Sequence, residues 1–270
     1  MSNIQAFLLG LLQGIAEFLP ISSSGHLAVA KELFSLSDIP LLFDILLHLA
    51  TLAAVVVFFR KKIAALFGVL FRWIRRRPLP DDKAGQSMII ALVLGTAVTG
   101  VIGIAASDFV EDIPVVCICG GFIVTALILI LSSYLSARRA APPSAAAGTV
   151  TPVQGLLVGL AQGVGVLPGI SRSGSTIAGA LFAGVDRNTA GEFSFLLSIP
   201  AILGAFILEL KDIGDIAGAV GVLPLAIGCA TAFASGLFAL AVLMKLIRRG
   251  NLAWFAVYLI PAGIAGIMFL

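Results

Sequence analysis

The sequence predicts an all-α polytopic membrane protein, with about six transmembrane helices plus two re-entrant helical hairpins in an inverted-topology repeat. Three observations predict it. Of 270 residues, 60% are hydrophobic and 11% charged, and the mean hydropathy is +1.12; a soluble domain of that length could not cover so much apolar surface. The charges separate by sign into different connections. Finally, Gln5–Leu27 and Gln154–Thr176 share ten identities in 23 positions at a constant offset of 149.

The first element, 4–34, is one of the two repeated stretches. Its leading apolar piece, 4–19, is too short to span about 30 Å of hydrocarbon, and Pro20 ends it. A half-helix, a Ser-rich break and a second half-helix make a re-entrant hairpin, which survives at membrane depth only inside protein or against a wet cavity. Segment 41–59 is a spanning helix despite Asp44 and His48. Segments 85–107 and 114–136 span as well and complete the first repeat, 1–137. An Ala- and Pro-rich flexible linker, 138–152, leads to the second repeat, 153–270. There the hairpin 153–184 is cut by Pro168 and Gly169, and 189–208, 218–244 and 251–270 span. The N-terminus lacks a basic leader and a small-residue cleavage site, so no signal peptide is expected.

Charge gives the orientation. Arg60, Lys61, Lys62, Arg72, Arg75, Arg76, Arg77 and Lys83, then Arg138 and Arg139, then Lys245, Arg248 and Arg249 mark cytoplasmic connections. Asp108, Glu111, Asp112, Glu209, Asp212 and Asp215, with Lys211 against them, mark outer ones; Lys31 is an outer exception and Arg187 falls inside. Segments 41–59 and 189–208, whose FDILLHLAT and FSFLLSIPA align, then run in opposite directions. The two copies are therefore inverted, and their hairpin tips meet near the midplane. The net charge of +3 belongs to these flanks and no nucleic-acid partner is expected. Cys117, Cys119 and Cys229 lie in apolar segments and read as small hydrophobes.

The tips carry the chemistry. Each places hydroxyls and a glycine at the start of a second half-helix: Ser22, Ser23, Ser24 and Gly25 in one, Ser171, Ser173, Gly174 and Thr176 in the other. Any one of these serines is accounted for as an N-cap. Together, two helix N-termini with free N–H groups form an anion site. Arg172 suits a phosphate bidentately or pairs with a carboxylate such as Glu17. His26 can serve as general base, general acid or nucleophile. Gln13 and Glu17 share a helix face at i, i+4 and offer oxygen ligands to Mg²⁺ or Ca²⁺. Only copy one has that carboxylate, since Val166 stands opposite Glu17. Asp44 and His48 share a face too, as accessory site residues or as a structural polar pair.

Q-x-x-x-E at 13–17, S-S-S-G-H at 22–26 and P-G-x-S-R-S-x-x-T at 168–176 resemble the signatures of the undecaprenyl-diphosphate phosphatase family, the bacitracin-resistance phosphatases. The resemblance implies a membrane-embedded hydrolase that removes the terminal phosphate of undecaprenyl diphosphate, recycling the lipid carrier of cell-wall synthesis. It implies a divalent cation, a bacterial plasma-membrane location and an active site facing outside. It places Glu17 as metal ligand or proton-transfer group, with Gln13 beside it. Nucleophile and acid/base roles fall to Ser23 and His26, and Ser171, Arg172, Ser173 and Thr176 bind phosphate. Phosphatidic-acid-type phosphatases share an S-G-H tip but use a second catalytic histidine, for which this chain has no candidate after Arg172. A polyprenyl-phosphate flippase using the same cradle is the alternative, though it gives no reason for Glu17 and His26 to occupy a single copy. G-x-x-x-G at Gly10 and Gly14, and at Gly155, Gly159 and Gly163, serves a homodimer face or close packing within one chain equally well.

Overall fold

The computed structural model of the chain describes residues 1–36, 39, 41–110, 113–138, 148–209 and 220–270. Those residues form helices joined by short connections. The first repeat contributes α1 (Asn3–Phe18), α2 (Ser23–Leu33), α3 (Leu41–Phe58), α4 (Arg60–Ile74), α5 (Asp82–Val110) and α6 (Val115–Arg138). The second contributes α7 (Pro152–Val164), α8 (Arg172–Phe182), α9 (Arg187–Glu209), α10 (Val222–Arg249) and, after a short 3₁₀ turn at Leu252–Phe255, α11 (Ala256–Phe269). Five of them are long and apolar enough to cross a membrane, and α3 with α4 forms one further bent pair. The chain is thus a multi-pass membrane protein. Expected spans and observed helices agree to within five residues at each end, apart from the 3₁₀ start of the last.

Two expectations need amendment. The connection after 41–59 is a helix, α4, which leaves α3 at 76°. Its apolar positions 63, 66, 67, 70, 71 and 74 follow helical spacing between basic residues. It is fastened to α5 by a bidentate ion pair, Arg72 Nε and Nη2 donating to Asp82 Oδ2 and Oδ1 at 2.9 and 2.5 Å. Nor does the end of the linker hang free. Val150 is fully buried, its carbonyl accepts from Ser87 Oγ at 2.7 Å, and Thr151 caps α7. Linker residues 139–147 lie outside the described residues, as do the orientation charges Glu111, Asp112, Arg139, Lys211, Asp212 and Asp215 and the start of span 218–244.

The packing pairs each half with the other. Helix α1 lies along α10 and α7 along α5; α3 packs on α10 and α9 on α5; α3 meets α9 and α6 meets α11. Exchanging the repeats maps this set of contacts onto itself. Glycine permits the close approach. Gly10 rests on Gly228 and Gly14 on Ala232 and Gly236, while a Cβ on Gly159 would lie 2.6 Å from the Gly95 carbonyl oxygen. The repeated G-x-x-x-G spacing is therefore used within the chain.

Candidate active site

Each hairpin breaks for local reasons. Leu19 leaves the helical region at ψ 139°, ahead of Pro20, which has no N–H to continue the helix. Ser22 is then held at φ 71°. An L-residue avoids that region unless its surroundings impose it, at a cost of about 1–3 kcal/mol, and such residues gather at functional sites. Ser22 Oγ accepts from Gly25 N at 3.4 Å and starts α2. In the second copy Gly169 takes φ 87° without that penalty. Ser171 Oγ accepts from Gly174 N at 3.1 Å and starts α8.

The two tips touch. A Cβ on Gly25 would lie 3.2 Å from Gly169 Cα, and one on Gly174 would lie 3.2 Å from Pro20 Cβ. Glu17, 7% exposed, is the hub between them. Its Oε2 accepts from Ser23 Oγ at 2.6 Å and from Gln13 Nε2 at 3.1 Å. Its Oε1 pairs with the Arg172 guanidinium from the opposite tip. His48 Nε2 stands 3.3 Å from Oε2, while its Nδ1, 2.7 Å from the Asp44 carbonyl oxygen, carries the hydrogen that bond needs. His48 therefore lies against Glu17. The Asp44 carboxylate turns instead to Lys31, at 2.7 Å.

Behind the contact lies a narrow cleft whose polar side includes Glu17, Arg172, Ser173, Thr176, Ser194 and Ser198, with Phe18, Val55 and Phe195 among the apolar residues that complete it. Its volume of about 10 Å³ leaves room for about one water. Tip two is braced throughout. Ser171 N donates to Thr125 Oγ1 at 2.9 Å, Ser171 and Ser173 hydroxyls lie 3.2 Å apart, and Thr176 bonds Ser194. The predicted phosphate-binding residues of this tip are brought together, although the Thr176 hydroxyl is committed to Ser194 and to the Arg172 and Ser173 carbonyls.

His26 stands apart from that cleft. Its Nδ1 lies 2.8 Å from the Ser22 carbonyl oxygen and so carries hydrogen. Nε2 lies 2.7 Å from Tyr258 Oη, so the neutral ring accepts there from the phenol. Phe122, ring centroid 4.7 Å away, covers one face. Ser24 is exposed and 3.5 Å from Ser22 Oγ. Sequence reasoning missed Tyr258, Thr125 and Ser194. Each is an uncharged polar group in a largely apolar stretch, and nothing along the chain marks which such group reaches a tip.

For a divalent cation the donor set is spare. Among the described residues no group of three or more His, Cys, Asp and Glu side chains converges. Gln13 Oε1 is nevertheless buried beside Glu17 without a hydrogen-bond partner, the kind of orphaned hard oxygen that a cation or water satisfies.

The sequence model of the family described as bacitracin resistance protein BacA matches residues 6–265. A Treponema denticola protein named undecaprenyl-diphosphatase is 53% identical over 264 residues, covering 98% of this chain and 96% of that relative. Proteins of the same name from Carboxydothermus hydrogenoformans and Borrelia hermsii are 40% and 34% identical, covering 98% and 96% of this chain and 96% of each relative.

Proposed function

The chain belongs to the bacitracin resistance protein BacA family, and from that premise we propose that it is an undecaprenyl-diphosphatase. It hydrolyses undecaprenyl diphosphate to undecaprenyl phosphate and inorganic phosphate, within the membrane. The observation that carries this reading is the convergence of Ser23, Glu17 and Arg172 where the two hairpin tips meet. A hydroxyl 2.6 Å from a buried carboxylate is the spacing of a nucleophile and its base, and a guanidinium across from it fits phosphate oxygens.

In this reading the terminal phosphate enters the contact and takes the place of Glu17 on Arg172. The freed carboxylate becomes a better base at the moment it is needed. Ser23 attacks the terminal phosphorus as its proton passes to Glu17. The bond from that phosphorus to the bridging oxygen breaks, and undecaprenyl phosphate leaves with the bridging oxygen. Water then hydrolyses the phosphoserine, releasing phosphate and restoring Ser23. Arg172 and the free N–H groups at the start of α8 oppose the charge that develops on the phosphoryl oxygens.

Glu17 and the orphaned Gln13 Oε1 are the residues that would hold Mg²⁺ or Ca²⁺. Such a cation would neutralise phosphate charge. The charge pattern supports a site near the midplane that faces the outer side of a bacterial plasma membrane, with α4 and the end of α10 on the cytoplasmic side. Lys31, the outer cation that ran against this pattern, is neutralised by Asp44. The flippase alternative is set aside: the relatives carry a hydrolase name, and transport has no use for a serine poised on a carboxylate.

The test is phosphate release from undecaprenyl diphosphate by protein purified in detergent, with Mg²⁺ or Ca²⁺ supplied and then chelated. Release that falls on chelation is the expected result. No release under any metal condition overturns the reading.

A further inference from the structure

An apolar groove of about 440 Å³ opens beside the site. Its floor is the face of α1 carrying Leu8, Leu11, Leu12 and Ile15, and Phe34, just past the end of α2, closes one side. Its polar lining residues are His26 and Tyr258, and these are bonded to each other at 2.7 Å. With the phenol donating to the ring and His26 Nδ1 donating to the Ser22 carbonyl, neither has a hydrogen left to give a ligand, and the other residues lining the groove are apolar, so it suits a hydrocarbon.

The groove's lining comes nearest the reacting residues along the chain at Ala16, next to Glu17, and at His26, on the turn that begins with Ser23. His26 lies three residues beyond Ser23, on the first turn of α2, and it forms the groove's inner end. From Ala16 to Leu8 the lining follows α1 away from the tip for roughly 12 Å, at 1.5 Å per residue. A diphosphate seated between Ser23 and Arg172 would therefore leave its organic substituent at His26, pointing down an apolar channel. We propose that this groove holds the first isoprene units of the substrate's lipid chain, and that Tyr258, across from α1, forms its outer wall and positions the His26 ring at the joint between chain and head group. The proposal rests on the diphosphatase reading. It assigns chain recognition to the outer face of the first hairpin, whereas head-group recognition belongs to the two tips.

Leu11 lines the groove from a partly exposed position and belongs to neither buried core cluster, so a larger side chain there fills the groove without invading the core. Leu11→Trp is expected to raise the KM for undecaprenyl diphosphate by about tenfold, the scale of discrimination in an apolar pocket. The corresponding constant for dimethylallyl diphosphate, measured as substrate or as competitor, is expected to change by about twofold or less. Leu11→Ala is a second probe in case the Trp variant does not fold, and is expected to weaken the long-chain lipid selectively. Equal changes for long and short diphosphates in a folded variant overturn the groove and leave the enzyme reading standing. If the unaltered protein neither hydrolyses nor binds either diphosphate, the enzyme reading fails and the groove's occupant with it.

Discussion

The two hairpin tips share much of their sequence and differ in their surroundings. Ser23 and Arg172 occupy equivalent positions, 149 apart in the repeat, and both reach the same carboxylate, Glu17, from opposite sides. Tip two is sealed: Ser171, Ser173, Gly174, Ser175 and Thr176 are all buried and tied to α6 and α9 through Thr125 and Ser194. Tip one is open: Ser24 is exposed, Ser23 and His26 are half-buried, and the strained Ser22 supports them. A clamp for a doubly charged group gains from rigidity, because donors already in place need no reordering when charge develops. A reacting hydroxyl needs access, and a lipid chain needs a side exit. In the proposed reading one of the two helix N-termini is the clamp and the other the reaction site.

The glutamines repeat the lesson. Gln13 and Gln162 are both fully buried, and each leaves its amide oxygen without a partner. Gln13 donates to Glu17. Gln162 has Val166 where its twin has the carboxylate, and donates to Thr99 at 3.1 Å, tying α7 to α5. The same residue is catalytic scenery in one copy and interhelical glue in the other.

This division can be broken by substitution. Arg172→Ala removes the clamp and is expected to lower phosphate release by about 1,000-fold while the protein still purifies as a monodisperse species; near-normal turnover would remove Arg172 from the site. Moving the carboxylate between copies, Glu17→Val with Val166→Glu, is expected to leave activity down by about 100-fold or more, the contribution of a positioned base. Ser23 would have no base in that protein, and restored turnover would show the tips to be interchangeable. A smaller contrast comes from the glutamines. Gln13→Ala is expected to lower the rate by about tenfold, as for loss of a group orienting the base. Gln162→Ala is expected to lower the melting temperature and leave the rate within about twofold, its lost bond being worth about 1 kcal/mol. Equal effects of the two on rate would erase the distinction drawn here.

Much of this was legible along the chain. The spanning helices follow from length and hydropathy, the breaks from Pro20, Pro168 and Gly169, and the helix starts from Ser22 and Ser171. Each signal acts within a few residues, so each survives without knowledge of the partner. Glu17, Arg172 and His26 stood out because an ionisable group in an apolar stretch needs a reason to be there. Helix α4 is masked by its own charges, which mark the cytoplasmic side and interrupt the helical spacing of its apolar residues.

By itself the sequence determined the helices, the two broken hairpins and the residues at their tips, because these depend on backbone stereochemistry, capping and transfer from water. Tertiary structure alone decided who meets whom. Arg172 finds Glu17 across 155 positions (172 − 17), Tyr258 finds His26 across 232, and Gln162 finds Thr99 rather than a carboxylate. In helices that are apolar on nearly every face, hydropathy carries no preferred direction. Partner choice falls to the close contacts that glycines such as Gly10 and Gly159 allow between one repeat and the other.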